Sequence, residues 1–260
     1  MSLTKVYSFE SNDKVSQALG EFIAHASSEA IAKHGRFTIA FSGGSLPATA
    51  CKHLRSNHSI DFSKWYVFFA DERCVKLDSP ESNFRLVREE LLDSLVQQGR
   101  GIPSDQVMVI NDDLIESTRL VADDYLVKLQ SVFSSTTRPN RFPEFDLVLL
   151  GIGPDGHTCS LFPEHPLLEE RSAWVAAIDD SPKEPPRRIT LTLPIVNHAR
   201  KVAFVVTGAG KKGTVKAIVD DKDERLPAAL VAPVKGDAYW FLDDAASKGL
   251  TENKPTDFKL

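Results

Sequence analysis

One pattern recurs along the chain and constrains its fold more than any other feature. A short, continuous apolar run is followed by a loop rich in glycine, serine or charge, and then by a segment with helical periodicity. The apolar runs cover residues 37–41, 65–70, 145–150 and 201–206. Such runs, alternating with helices, are typical of parallel strands that are buried on both faces. The sequence therefore predicts an α/β fold, a doubly wound and mostly parallel sheet with helices on both faces.

The helices are marked by their caps and apolar faces. Ser11 or Asn12 can cap the first helix, and Gly35 is placed to end it in a left-handed turn. Its apolar stripe consists of Val15, Leu19, Phe22, Ile23, Ala26, Ala30 and Ile31. Further helices are predicted over residues 47–54, 83–95, 114–133 and 211–219, strands over 189–193 and 239–242, and a polar loop over 136–143. Because the composition does not shift along the chain, we expect one domain spanning residues 1–260.

Composition and charge argue against several classes of partner. The net charge is −5 and the pI is about 5.8, whereas a nucleic-acid-binding protein usually carries a basic excess. The three cysteines lack a C-x-x-C spacing, which argues against a disulfide framework and a zinc site. The N-terminus lacks the apolar core of a signal peptide, and no run approaches the ~18–20 apolar residues that span a bilayer. We expect a cytoplasmic protein, a monomer, with no nucleic-acid or membrane partner.

The loops that follow the apolar runs are the first candidates for a functional site. In open α/β sheets, ligands bind outside the carboxyl ends of the strands. Four glycine- or charge-rich loops follow strands in this chain, at residues 42–45, 71–73, 151–157 and 207–210. We expect all four to open at one edge of the sheet and to form one ligand pocket there.

Ser42, Gly43, Gly44 and Ser45 join a buried strand to a helix. The two glycines permit a tight turn with unobstructed amide groups, and Ser45 can cap the helix. A helix N-terminus with free amides is a natural phosphate site, although the same tetrapeptide is equally compatible with a turn that binds nothing. It is neither a Walker loop nor a dinucleotide-binding fingerprint, because both spacings are absent.

Asp71, Glu72 and Arg73 place three charges at the mouth of a buried apolar strand. Such charges need either water or partners. Arg73 can clamp a phosphate or a carboxylate through its planar fork. The alternative interpretation is a solvated turn or an internal ion pair.

The loop of residues 151–157 contains three glycines, which leave room for a ligand to approach the backbone. His157 is the side chain best suited to proton transfer near neutral pH, and Asp155 could orient the imidazole or position water. A lone histidine is more often structural, but a place in a glycine-rich loop after a buried strand makes a functional role as well supported as a structural one, so both interpretations stay open here. Cys159 offers a rival thiol nucleophile, but on one short segment its side chain need not face His157.

Lys211 follows Gly208-Ala209-Gly210 and opens a predicted helix, and Arg188 opens a predicted strand. A cation at a helix N-terminus is unfavourable with the helix dipole unless an anion is present. A bound phosphate therefore explains Lys211 more readily than a freely solvated lysine, which remains the alternative.

These motifs resemble those of the glucosamine-6-phosphate isomerase/6-phosphogluconolactonase family, and in particular those of its 6-phosphogluconolactonases. The matching segments, in order, are Ser42-Gly43-Gly44-Ser45, Asp71-Glu72-Arg73, Asn83-Phe84-Arg85, Gly151-x-Gly153-x-Asp155-Gly156-His157-Thr158-x-Ser160-Leu161-Phe162-Pro163, Arg188-Ile189-Thr190 and Gly208-x-Gly210-Lys211. The resemblance covers nearly the whole chain, and the segment of residues 155–163 is its most specific part.

The resemblance implies hydrolysis of 6-phosphoglucono-1,5-lactone to 6-phosphogluconate in the oxidative pentose phosphate pathway, without metal or cofactor. It implies that His157 draws a proton from the water that attacks the lactone carbonyl, and that Asp155 orients His157 or a sugar hydroxyl. The phosphate would lie on loop 42–45, held by Arg188 and Lys211. The substrate-binding residues that the resemblance implies are Ser42, Gly43, Gly44, Ser45, Asp71, Arg73, Asn83, Gly153, Gly156, Arg188 and Lys211.

Two alternatives stay open on the same fold. Glucosamine-6-phosphate deaminases share the Asp-Gly-His loop but carry a Glu five residues after the histidine, where this chain has Phe162. Their strand-end triplet also ends in Tyr, where this chain has Arg73. The other alternative is a non-catalytic sugar-phosphate sensor, which would normally bring a DNA-binding module. Phe162 favours the lactonase over the deaminase.

Overall fold

The structure is a computed structural model that describes residues 4–133 and 142–260. Its strands are β1 (Thr4–Phe9), β2 (Phe37–Phe41), β3 (Trp65–Phe69), β4 (Asp71–Arg73), β5 (Leu147–Leu150), β6 (Val175–Ile178), β7 (Arg188–Leu191), β8 (Lys201–Val206) and β9 (Asp237–Asp243). Its α-helices are α1 (Asn12–His34), α2 (Leu46–Leu54), α3 (Asn83–Val87), α4 (Asp93–Gln97), α5 (Thr118–Phe133), α6 (Leu193–Val196), α7 (Lys212–Val219) and α8 (Asp244–Ser247). A π-helical turn over residues 88–92 joins α3 to α4. The helix predicted over residues 83–95 is therefore one continuous helical segment.

A six-stranded sheet in the order β1-β9-β8-β5-β2-β3 forms the centre of the fold. Every neighbouring pair of strands in it is parallel. Successive side chains of β2 enter different cores: Ile39 and Phe41 pack on the side of α1 and α2, and Ala40 on the side of α5 and α7. Both faces of the sheet are thus covered by helices. The predicted doubly wound, mostly parallel fold is confirmed.

The ends of the first helix follow the predicted chemistry. Ser11 is the N-cap of α1 and accepts a backbone hydrogen bond of 3.3 Å, and Gly35 ends the helix with φ 81°. Two predicted helices start later than expected, α5 at Thr118 and α7 at Lys212. The loop predicted over residues 136–143 lies mostly outside the described residues.

A second, smaller sheet was not predicted. It has the order β4-β7-β6 and is antiparallel, with Asp71 opposite Thr190 and Arg73 opposite Arg188. The prediction that residues 71–73 form a strand-end loop is therefore wrong. The physical reason is that the carboxylates of Asp71 and Glu72 find hydrogen-bond partners inside the protein, which replace the water that a loop would supply.

Ala70 joins the two sheets. Its N–H donates to the Phe41 carbonyl oxygen of the parallel sheet at 2.8 Å, and its own carbonyl oxygen accepts from the Leu191 N–H of the small sheet at 2.7 Å. The small sheet is thereby fixed at the carboxyl ends of the parallel strands, where loops 42–45, 151–157 and 207–210 also emerge. No helix in the described parts of the chain is long and apolar enough to cross a membrane.

Candidate active site

A cleft of about 230 Å³ opens at this edge of the sheet, between the strand-end loops and the small sheet. The predicted residues that line it are Ser42, Gly43, Gly44, Ser45, Asp71, Arg73, His157, Arg188 and Lys211. Four other predicted residues are not among those that line it: Asn83, Gly153, Asp155 and Gly156. The structure thus brings loops that are more than a hundred residues apart to one cleft.

His157 and Asp155 form a close pair beside this cleft. The Nδ1 atom of His157 lies 2.5 Å from Oδ1 of Asp155. Two acceptors do not approach so closely without a proton between them, so Nδ1 carries the shared proton. The other ring nitrogen, Nε2, then keeps its lone pair, which is the form of imidazole that acts as a base.

The protonation of this pair follows from its surroundings. Burial lowers the pKa of His157 from its ordinary value of 6.5, and the Asp155 carboxylate opposes this. Burial by itself would raise the pKa of Asp155, but hydrogen bonds from His157 and Lys183 prevail and lower it to about 2. At neutral pH the pair is therefore a carboxylate beside a neutral imidazole.

This state predicts the pH dependence of a reaction in which His157 acts as the base. We expect the acid limb of kcat/KM to lie below pH 6.5, because protonation of His157 removes the lone pair and its pKa is lowered. The same shift contributes folding stability above pH 6.5 that is lost as the pH falls through the lowered pKa. Initial rates across the acid range, corrected for the uncatalysed reaction, measure the limb. An acid limb above pH 6.5 would contradict this environment for His157.

Glycines shape the loop around this pair. A Cβ atom on Gly153 would lie 2.0 Å from Nδ1 of His157 and 2.4 Å from Oδ1 of Asp155, so the ring packs directly on the Gly153 backbone. Gly156 has φ 77°, a left-handed conformation that favours glycine, and turns the chain between the two side chains. The Gly153 N–H donates to the His157 carbonyl oxygen at 2.8 Å, which closes the loop. Gly153 and Gly156 therefore position the pair, and their predicted contact with substrate stays a prediction.

Loop 42–45 leads into α2. Gly44 has φ 70° and makes the turn, and α2 begins at Leu46. Ser45 occupies the N-cap position, but its side chain makes no capping hydrogen bond, so the expected serine cap is wrong. Its backbone is already in the right-handed helical region, not in the extended one that a capping side chain needs. The helix N-terminus is thus left for another acceptor, such as an anion in the cleft.

Asp71 and Asn83 support this loop from below. The two oxygens of Asp71 accept from Ser42 Oγ at 2.9 Å and from Ser160 Oγ at 2.8 Å, and so tie loop 42–45 to the segment after His157. Asn83 is fully buried and donates to the Asp71 carbonyl oxygen at 2.8 Å. A Cβ atom on Gly43 would lie 1.9 Å from Asn83 Oδ1, so Gly43 rests on this amide. Asn83 is therefore a support for the loop and does not line the cleft.

Three cations line the cleft, with different numbers of N–H groups left for a ligand. The guanidinium of Arg188 donates to the carbonyl oxygens of residues 183, 184 and 185 and to Ser160 Oγ, which leaves one N–H, on Nη1. Arg73 donates to the Glu81 carbonyl oxygen at 2.6 Å. Lys211 donates once, to the Ile152 carbonyl oxygen at 2.8 Å, and burial lowers its pKa. Lys211 thus keeps two of its three N–H groups for a ligand.

Cys159 also lines the cleft, but its environment argues against a thiol nucleophile. The residue is buried and adopts φ 51°. Burial raises the pKa of its thiol well above the ordinary value of 9.0. A thiol that stays protonated at neutral pH is a poor nucleophile.

Several residues of the site were not predicted as site residues from the sequence. Thr207 lines the cleft as part of the predicted loop 207–210, but it was not among the individual residues expected to bind substrate. The cleft also has apolar lining residues, which are Leu46, Ile152, Val205 and Val206. Lys183 contacts both members of the His157–Asp155 pair, and no pattern in its proline-containing loop signals this.

Comparisons with known proteins place this chain in one family. The family model "Glucosamine-6-phosphate isomerases/6-phosphogluconolactonase" matches residues 10–240, and the chain belongs to this family. Its relatives include a probable 6-phosphogluconolactonase of Schizosaccharomyces pombe, 46% identical over 94% of this chain and 95% of the relative. The human 6-phosphogluconolactonase is 44% identical over 94% of this chain and 92% of its own. The predicted family is confirmed.

Solved structures agree with this assignment. The 6-phosphogluconolactonase from Trypanosoma cruzi superposes with a TM-score of 0.83 at 28% identity, covering 96% of this chain and 98% of its own. The 6-phosphogluconolactonase from Leishmania guyanensis superposes with a TM-score of 0.83 at 25% identity, covering 96% of this chain and 99% of its own. A monomeric glucosamine-6-phosphate deaminase, at 17% identity and a TM-score of 0.74 over 95% of this chain and 100% of its own, shares the fold.

Proposed function

We propose that this chain hydrolyses 6-phospho-D-glucono-1,5-lactone to 6-phospho-D-gluconate, the second step of the oxidative pentose phosphate pathway, with His157 as the general base. The relatives that are 44–46% identical over 94% of the chain carry the name of this reaction. The observation that carries the role of His157 is its 2.5 Å contact with Asp155, which leaves Nε2 as the basic nitrogen beside the cleft.

In the proposed mechanism, His157 accepts a proton from water as the water oxygen attacks the lactone carbonyl carbon. Asp155 holds the imidazole in place and stabilises the imidazolium that forms. When the bond between this carbon and the ring oxygen breaks, the imidazolium returns the proton to the departing oxygen. The product is the open-chain acid with a new hydroxyl group, and His157 is neutral again.

The phosphate of the substrate would bind where the cleft offers donors. The N-terminus of α2, loop 42–45 and Lys211 supply amide groups and a positive charge. Arg188 adds the one N–H that its protein contacts leave, and Arg73 adds charge from the small sheet. Asp71 can accept a sugar hydroxyl with its remaining lone pairs.

Replacement of Lys211 by alanine should weaken binding of 6-phosphogluconate by about 10- to 150-fold, which corresponds to roughly 1.5–3 kcal/mol for a charged hydrogen bond. The affinity for gluconate, which has no phosphate, should change little. Isothermal titration of both ligands measures this difference. Lys212→Ala is the matched control, because Lys212 is the exposed neighbour outside the cleft. Native affinity of Lys211→Ala for 6-phosphogluconate would contradict the phosphate site.

The reaction is tested by assaying the purified protein with 6-phosphogluconolactone, with the spontaneous rate subtracted. A rate at background would overturn the proposed function. Release of ammonia from glucosamine 6-phosphate would support the deaminase instead. In the structure, Phe162 occupies the position of the deaminase Glu and packs on the His157 ring, with 4.9 Å between ring centroids, so no carboxylate reaches this place from that residue.

We also propose that residues 1–260 act as one catalytic domain and as a monomer in the cytoplasm, without a nucleic-acid or membrane partner. One chain supplies the proposed base and the proposed phosphate-binding cations, so the proposed mechanism needs no residue from a second copy. The net charge of −5 gives no support to nucleic-acid binding. Analytical ultracentrifugation tests the oligomeric state, and a dimer would contradict the monomer.

A further inference from the structure

Lys183, in the segment between β6 and β7, touches the His157–Asp155 pair. Its Nζ atom lies 3.0 Å from Oδ1 of Asp155 and 3.1 Å from Nδ1 of His157. With the 2.5 Å contact between the other two side chains, the three groups form a closed triangle. The Lys183 side chain is 36% exposed, so water screens part of its charge.

The backbone around Lys183 is held by a buried residue. The Lys183 carbonyl oxygen accepts from Nη2 of Arg188 at 2.9 Å and from Oγ of Ser181 at 2.8 Å. The Lys183 N–H donates back to Ser181 Oγ at 3.2 Å. Arg188 is only 3% exposed and belongs to β7. These hydrogen bonds fix the backbone from which the Lys183 side chain reaches the His157–Asp155 pair. A solvated surface lysine has no such constraint.

We propose that Lys183 is a positioning residue for His157: its ammonium group holds the Asp155 carboxylate against the imidazole and places a positive charge beside Nδ1. This inference rests on the proposed role of His157 as the base. An ammonium group has three donors and no acceptor, so it bonds to the carboxylate and cannot take the Nδ1 proton in exchange. Its charge opposes formation of the imidazolium, which keeps Nε2 unprotonated at lower pH and favours return of the proton to the leaving oxygen.

Other charges also face His157, and they set the sign of the expected effect. Asp155 on its own loop and Asp71 on β4 both raise the pKa of His157, whereas Lys183 lowers it. The other cations of the cleft are Arg73, Arg188 and Lys211. Among the cations near the cleft in the described part of the chain, Lys183 contacts the imidazole ring. Removal of Lys183 takes away a positive charge that lowers the pKa of His157, whereas the Asp155 and Asp71 carboxylates, which raise it, remain. The pKa of His157 should therefore rise.

The test compares Lys183→Met with Lys183→Arg in the ligand-free protein. NMR titration of the His157 imidazole should show a pKa raised by about one unit in Lys183→Met, and a value nearer the native one in Lys183→Arg, which restores the charge. Lys216→Met is the control, because Lys216 is similarly exposed (39%), also pairs with an aspartate (Asp221, 2.5 Å) and lies outside the cleft. It should leave the titration unchanged. An unchanged His157 titration in Lys183→Met would overturn the inference.

Kinetics provide a second readout. The acid limb of kcat/KM should move to higher pH in Lys183→Met by the same amount as the NMR titration, and should move back in Lys183→Arg. Lys183→Met could instead raise KM and weaken binding of 6-phosphogluconate while the acid limb of kcat/KM stays at its native pH. That result would show that Lys183 contacts the phosphate and would also overturn the inference. The NMR titration needs no activity, so failure of the proposed reaction and failure of the Lys183 inference are distinguishable.

Discussion

Replacement of His157 by alanine is expected to lower kcat by roughly 10²–10⁴-fold, the usual contribution of a positioned general base. The physical reason is the pairing with Asp155 at 2.5 Å, which fixes the proton on Nδ1 and leaves Nε2 to take the proton of water. Binding of 6-phosphogluconate should survive, because the loop 42–45 and Lys211 lie on other elements. Steady-state rates corrected for spontaneous hydrolysis, together with titration of the product, separate the two effects.

A second histidine–aspartate pair provides the control. Nε2 of His34 lies 2.9 Å from Oδ1 of Asp146, at the amino ends of the parallel strands and away from the cleft. His34→Ala should therefore keep the native kcat. If His157→Ala were as active as the native protein, another group would have to be the base, and the proposed mechanism would be wrong.

The Gly153→Ala variant is expected to lose activity with its fold intact. The added Cβ would lie 2.0 Å from Nδ1 and 2.1 Å from Cε1 of His157, which real contacts do not allow, so the ring must move. Displacement of a catalytic group by about 1 Å can cost on the order of 10²-fold in rate. The clash involves side-chain ends of His157 and Asp155, and the surrounding backbone can stay in place.

Gly213→Ala is the matched control for this variant. Nothing lies within 4 Å of a Cβ atom at Gly213, which is in α7 outside the cleft. This change should leave kcat unchanged and stabilise the protein by about 0.5–1 kcal/mol, because alanine favours the helix. Circular dichroism and thermal unfolding check that both variants are folded. A native kcat for Gly153→Ala would mean that the ring does not rest on the Gly153 backbone.

The sequence was sufficient to predict the parallel sheet and the loops at its carboxyl edge. The strand-end rule and the glycines predict that Ser42, His157 and Lys211 share one pocket, and the cleft contains all three. These predictions depend on local patterns: an apolar run, a glycine-rich turn and a helix start. The family resemblance added the reaction, which local patterns by themselves do not contain.

The small sheet could not be predicted in the same way. Asp71 and Glu72 have the composition of a solvated loop, but their carboxylates are satisfied by residues that are distant in sequence, such as Ser160, 89 residues away from Asp71. Glu72 is buried and accepts the N–H groups of Asn83 and Phe84 at the start of α3, and burial raises its pKa to about 7. The tertiary fold brings these hydrogen-bond partners together, so the local sequence does not predict them.

Arg188 illustrates the same limit within the site. The sequence placed it correctly at the cleft but could not show that its guanidinium is mostly occupied by backbone carbonyl oxygens of residues 183–185. Those contacts depend on the path of a loop, which the residue types do not specify. Lys183 depends on the same loop, and its contact with a pair 26–28 residues earlier follows from that path.

The two hydrogen bonds of Ala70 have a consequence for how the protein can tolerate changes in chain length. One residue serves both sheets, so an insertion between β3 and β4 would break the bond to Phe41 or the bond to Leu191. The wall that bears Arg73 and the wall that bears His157 therefore keep a fixed spacing. Insertions and deletions that reshape the cleft without separating its walls are therefore confined to the loops beyond the strands.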